Sequence, residues 1–141
     1  MDATVNVAKG TVNEMADGLE IVGYDGEGYK RRVDGPKWTL AALHYAVRFD
    51  PANFEKLERH LLTDEVFVLL TGEATLLIGE NAERVQMEPL KYYNVKAGVW
   101  HHIFVTPGTR VLIAENSDTS GENTEYRYGM GRQATPGTNN K

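Results

Sequence analysis

The sequence predicts an all-β domain, a sandwich or a barrel, on three observations. Apolar residues come in short runs rather than long helical faces. Turn residues punctuate those runs about every 8–12 positions. Where a run is half polar, the alternation has period two, the signature of a half-buried strand. At 141 residues, 41% hydrophobic and 25% charged, the chain is sized and balanced for one domain with one core.

The elements follow in order. In residues 1–37, Val5, Val7, Val12 and Ile21-Val22 suit short strands, Asp25-Gly26-Glu27-Gly28 is a loop and Gly35-Pro36 a turn. This stretch reads as an N-terminal extension adding edge strands. From 38 to 49, Leu43, Tyr45, Val47 and Phe49 alternate with His44, Ala46 and Arg48, predicting one strand. Asp50-Pro51 has the form of a helix N-cap followed by Pro at the first helical position. Phe54, Leu57 and Leu61 have helical spacing, so 51–58 is a short helix or an irregular loop.

Residues 65–70 and 74–78 are apolar strands around Thr71-Gly72-Glu73, predicting a hairpin. Gly79-Glu80-Asn81 is the next turn. Strands follow at 85–87, 92–95, 100–105 and 110–115, separated by Glu88-Pro89, Lys96-Ala97-Gly98 and Pro107-Gly108. Residues 117–141 are rich in Ser, Thr, Asn, Gly and Glu and predict a mostly irregular tail. Tyr126, Tyr128 and Met130 are anchors for its first part, and 132–141 are expected to be disordered.

Charge and composition exclude several function classes. The net charge is −5 and the longest basic run is Lys30-Arg31-Arg32, which argues against nucleic-acid binding. No apolar run approaches a membrane span, and the start of the chain lacks a secretory pattern, so a cytoplasmic location is expected. There is no cysteine, hence no disulfide, thiolate zinc site, iron–sulfur cluster or thiol nucleophile. Ser117 and Ser120, the only serines, fall in the tail, against serine-hydrolase chemistry. Asp25-Gly26-Glu27-Gly28 precedes no helical pattern and is no phosphate cradle. Metal chemistry, if any, must use imidazole or oxygen ligands, and the histidines are His44, His60, His101 and His102.

One constellation stands out. Glu58-Arg59-His60 is followed by four residues, Glu65, six residues and Gly72; His101 lies within Lys96-Ala97-Gly98-Val99-Trp100-His101-His102. On an extended segment Glu58 and His60 share one face. The spacing resembles the cupin superfamily, whose first motif ends His-x-His, three or four residues, Glu, six residues, Gly, and whose second contains Pro-x-Gly, two residues, His. His60, Glu65, Gly72, Gly98 and His101 fall in register. Glu58 stands where the leading His is expected, and Ala52, Leu90, Lys96 and Val105 replace the first motif's Gly and the second motif's Gly, Pro and Asn.

The resemblance covers about 38–116. It implies a single cupin-like antiparallel β-barrel (double-stranded β-helix or jelly roll), a metal set of Glu58, His60, Glu65 and His101, and a homodimer. Such a set suits a divalent Mn, Fe, Ni or Zn ion, with the second carboxylate disfavouring Cu. Gly98-Val99-Trp100-His101-His102 also resembles a segment of ureidoglycolate lyases.

Each residue has a plainer reading. His60 could sit at a helix C-terminus, Glu65 could be a solvated strand start, and a helix through Glu58 would put it on a solvated face. His101 and His102 alternate across a strand, and the spacing from Gly98 turns His101 inward. His44 is a pore-lining or surface histidine, and Tyr45, Phe67, Tyr93 and Trp100 are core or pocket wall; all five are pocket candidates. Glu58 and His102 are the candidates for general acid or base. The expected function is a metal-dependent cupin acting on a small polar metabolite (carboxylate, ureido or sugar-like), as lyase, isomerase or dioxygenase. A ureidoglycolate lyase-like enzyme and a non-catalytic small-molecule binder are the alternatives.

Overall fold

The computed structural model describes residues 13–129. The expectations for Val5, Val7, Val12, Met130 and 132–141 lie outside the described residues. Strands β1 (Asn13–Ala16) and β2 (Leu19–Val22) form a separate two-stranded sheet around Asp17-Gly18. The other ten strands make two five-stranded antiparallel sheets facing each other across one core. One sheet has the order β3 (Tyr29–Asp34), β4 (Trp38–His44), β11 (Arg110–Asn116), β6 (Glu65–Thr71), β9 (Tyr92–Val95). The other has β12 (Thr124–Tyr128), β5 (Lys56–His60), β10 (His101–Val105), β7 (Ala74–Ile78), β8 (Glu83–Gln86). The architecture is the expected all-β, cupin-like barrel. No helix among the described residues is long and apolar enough to cross a membrane.

The strand alternation explains where the core sits. The buried positions read Leu43-Ala41-Thr39 on β4, Val111-Ile113-Glu115 on β11, Leu69-Phe67-Glu65 on β6 and Val105-Ile103-His101 on β10. The registers align them: Glu115 pairs with Glu65 and Thr39, Ile113 with Phe67 and Ala41. The interior is therefore apolar through most of its depth and polar at one end. A small second cluster, Leu57, Leu77 and Phe104, lies on the outer face of the second sheet under Phe54, Ala82 and Trp100.

Several expectations are corrected. The strand predicted over 38–49 ends at His44, and Val47–Phe49 is a 3-10 turn. Asp50 does cap, accepting from Ala52 N with Pro51 behind it, but it opens only the 3-10 turn Pro51–Asn53. No helix runs on through 58; Leu57 turns outward and Glu58 inward on strand β5. Tertiary pairing of β5 with β12 and β10 overrides the helical spacing.

The predicted hairpin at Gly72 is a crossover. β6 pairs with β11 and β9, and β7 with β10 and β8, so the turn carries the chain from one sheet to the other. Gly72 has φ +91°, and a Cβ there would lie 2.2 Å from Thr109 Oγ1, so the crossover can pack only with glycine. The barrel also exceeds 38–116. β3 forms an edge of the first sheet, and the supposedly irregular tail contributes β12 to the second. Tyr126 and Tyr128 anchor that strand by both facing Lys56, whose Nζ is 4.4 and 5.2 Å from their ring centroids.

Candidate metal and ligand site

The polar end of the barrel is built from both sheets. β5 brings in Glu58 and His60, β6 brings Glu65, and β10 brings His101. Glu58 and His101 are direct partners across the single registered pair joining β5 to β10. One potential ligand atom from each of the four lies within 4.8 Å of the others. Glu65 Oε1 is the hub, 2.9 Å from His101 Nε2 and 3.1 Å from His60 Nε2. Glu58 Oε2 is 3.5 Å from His60 Nε2 and 3.7 Å from His101 Nε2. His60, Glu65 and His101 are buried, whereas the Glu58 side chain is 36% exposed.

Local structure orients both rings. His101 Nδ1 is 3.0 Å from the Val99 carbonyl, which can only accept, so that nitrogen carries a proton and Nε2 faces the cluster. Gly98, at φ +81°, lets the loop before β10 turn back, and its N–H donates to the His60 carbonyl at 2.7 Å. His60 Nδ1 lies 2.9 Å from Thr124 Oγ1 on β12. Its Nε2 is buried with no hydrogen-bond partner, because the nearby carboxylates are poorly aligned to it.

The electrostatics follow from this crowding. Burial alone would raise the Glu65 carboxyl, but the hydrogen bond from His101 and the His60 ring 3.1 Å away outweigh it and hold the group at about 2. Burial works against charge on His60 as well, yet the Glu58 and Glu65 carboxylates lift the ring to about 10. His101 is raised against burial by Glu65.

A cavity of about 360 Å³ opens onto the cluster. Its apolar wall includes Leu43, Phe67, Ile103 and Ile113, and Phe67 meets the His101 ring edge-on at 6.0 Å. Of the five predicted pocket residues, only Phe67 lines this cavity. His44 is held by Gly26 O and the Tyr24 ring. Tyr45 donates to Asp50. Tyr93 accepts from Glu88 N. Trp100 lies on the outer cluster under Arg59. Alternation explains His44 and Trp100: both sit one residue out of step with an inward position.

His102, one of the two acid–base candidates, is outside the four-residue cluster. Its ring stacks on Phe54 at 5.2 Å and meets Phe104 edge-on, and burial lowers it to about 4. It reaches the cavity lining beside Arg48 and Asn53.

Sequence reasoning missed Glu115, Tyr29 and Arg31. Glu115 is 8% exposed, accepts a 2.8 Å hydrogen bond from the Tyr29 hydroxyl and lies 3.9 Å from both Arg31 and His60. Burial, then the Glu65 charge, pushes its carboxyl up; burial, then Glu115, does the same to Tyr29. The signal was available. Val111, Ile113 and Glu115 share one face of a period-two strand, so the carboxylate had to point inward.

No family model and no curated protein matches the chain. Among solved structures it is similar to Pac13, a nucleoside dehydratase, with TM-score 0.57 and 9% identity over 89% of this chain and 92% of that one. A variant of the same Streptomyces protein with uridine gives TM-score 0.58 and 10% identity over 89% and 91%. A cupin-2 domain protein of Shewanella frigidimarina gives TM-score 0.48 and 15% identity over 66% and 84%. At these identities the likeness to Pac13 shows a shared barrel fold.

Proposed function

We propose that this chain is a divalent-metal-binding protein of cupin-like fold that acts on a small polar metabolite. The observation carrying this reading is His60 Nε2, buried among three further donor groups yet without a hydrogen-bond partner. A nitrogen left so is costly in a protein and fitting in a ligand set.

The donor set passes a simple fit test. With metal–ligand bonds of about 2.1 Å, neighbouring ligands stand roughly 3.0–3.4 Å apart. The nitrogen–oxygen separations here are 2.9–3.7 Å. Two imidazoles and two carboxylates suit Mn, Fe, Ni or Zn. Glu58, His60, Glu65 and His101 would hold the ion, which when bound supplies Lewis-acid polarisation of a carbonyl or hydroxyl. Glu58, whose side chain is partly exposed, is placed to hold or pass a proton there if it is not itself a ligand.

Metal analysis and anomalous scattering test the reading. One ion per chain is expected, lost in His60→Ala and in His101→Ala. Substoichiometric metal unchanged by both substitutions refutes it. The finer reading, a ureidoglycolate lyase-like enzyme, is supported by the segment from Gly98 to His102 and is tested by formation of glyoxylate and urea. A protein that loads metal and binds small acids without turning them over is the non-catalytic binder instead.

A further inference from the structure

The outer face of the first sheet carries two registered rows of apolar side chains. On β4, β11 and β6 the residues alternating with the buried core positions are Leu40 and Ala42, Leu112 and Ala114, Val66 and Val68. Leu112 pairs with Ala42 and Val68, and Ala114 with Leu40 and Val66. All six are half-buried, and none belongs to either apolar cluster of the protein. The rows run on to β9, where Tyr92 follows Val68 and Asn94 follows Val66; Tyr92 is 82% exposed. The second sheet differs, because Phe54, Ala82 and Trp100 pack on its outer apolar residues.

The four central residues form a checkerboard. Leu112 stands opposite Ala42 and Leu40 opposite Ala114, so the leucines lie on one diagonal and the alanines on the other. On a pleated surface these are two knobs and two hollows. A two-fold axis in the plane of the face, running across the strands between the two rows, exchanges one row for the other. It sets Leu112 over the partner's Ala114 and Leu40 over the partner's Ala42. Tyr92 then falls over the partner's Asn94, and Arg110 at one end of β11 over the partner's Asn116, so no like charges meet at these positions. An axis along the strands would instead stack Leu112 on the partner's Leu112 and Arg110 on the partner's Arg110.

We propose that this face is the interface of a two-fold dimer of this chain, packed sheet on sheet with the rows exchanged. A flat, charge-free face whose knobs match its own hollows is complementary to a second copy of itself. The area agrees. Four strands about 4.8 Å apart and the seven residues of β11 at about 3.4 Å each give a footprint of roughly 19 by 24 Å. That is about 450 Å² per copy and about 900 Å² for the pair, to which the relief of Tyr92 and Trp38 adds, at the lower bound for a specific interface.

Sedimentation velocity of the full chain from about 1 to 100 μM tests this, the range suited to an interface of that size. The wild type is expected to pass from the chain mass to twice that mass. Ala114→Leu places a leucine over the partner's Leu112 at two symmetry-related points and should weaken the dimer at least about tenfold. The swap Leu112→Ala/Ala114→Leu keeps the composition and inverts the pattern on β11, so knobs meet hollows again and most of the affinity returns. A merely structural effect of the larger side chain would give no such rescue. Tyr92→Lys, at an exposed edge position, should also weaken the dimer, and it carries the test if circular dichroism shows that a β11 variant does not fold.

A wild type that stays monomeric over the whole range overturns the proposal, whether another part of the chain or a different protein covers the face. A dimer unchanged by Tyr92→Lys overturns it too, as does a folded Ala114→Leu that dimerises like wild type or a folded swap that restores nothing.

Discussion

Replacing Glu65 by glutamine in the metal-free protein should cost stability in a strongly pH-dependent way. The Glu65 carboxyl is held at about 2 against an ordinary 4.5. A difference of roughly 2.5 units corresponds to about 3 kcal/mol of folding stability. The folded-state value is depressed, so this contribution is fully present above pH 4.5 and is lost as pH falls through 2. The partner side has the opposite sign. His60 is raised from 6.5 to about 10, so its contribution is complete below pH 6.5 and is lost as pH rises through 10. Both describe one network of ion pairs and are counted once. The full effect therefore lies between pH 4.5 and 6.5.

The assay is denaturant and thermal unfolding of wild type and Glu65→Gln in chelator at pH 5.5, 4 and 3. At pH 5.5 the variant should be less stable by about 3 kcal/mol, or roughly 10–15 °C in Tm for a domain of this size. The gap should narrow steadily toward pH 3. A gap that stays constant with pH refutes the reasoning, because the cost would then come from packing rather than from the carboxylate's charge.

Two further predictions follow from the same geometry. Metal affinity should rise with pH from 6 to 8, by up to about tenfold per unit for each proton displaced, because binding must remove the proton that His60 holds up to about 10; a chelator competition series measures it, and a flat profile counts against His60 as a ligand. Gly72→Ala should abolish or severely impair folding, since its Cβ would strike Thr109 Oγ1 at 2.2 Å and Cα at 2.6 Å, whereas Gly79→Ala, at a similar φ of +83° with nothing within 4 Å, should cost only about 1–2 kcal/mol by thermal melt.

Much of the barrel was legible because strands leave a local mark. The runs at 74–78 and 92–95 are the strands β7 and β9, and period two on β4 set Leu43 and His44 on opposite faces. The four potential ligands were legible by spacing, since Glu58-x-His60 on a strand shares a face and Gly98 sets the phase of His101. Glu115 was passed over because it belongs to no spaced motif; its importance comes from facing Glu65 across a strand pair made by residues 50 apart in sequence. β12 was hidden because its residues are polar and half-exposed and it is a strand only by virtue of pairing with β5.

What the sequence determined by itself was the class of fold, the absence of thiol chemistry and the residues able to bind a metal. Composition and alternation are local properties, and they survive without a partner. Only the tertiary structure decided which strands pair. Thr71-Gly72-Glu73 reads the same whether it closes a hairpin or crosses between sheets, and Thr109, far along the chain, fills the space that makes it a crossover. The same long-range pairing sets one polar row of side chains at a single end of an apolar barrel. Spacing along the chain could nominate Glu58, His60, Glu65 and His101, but only the folded sheets bring Glu115 beside them with one oxygen left free.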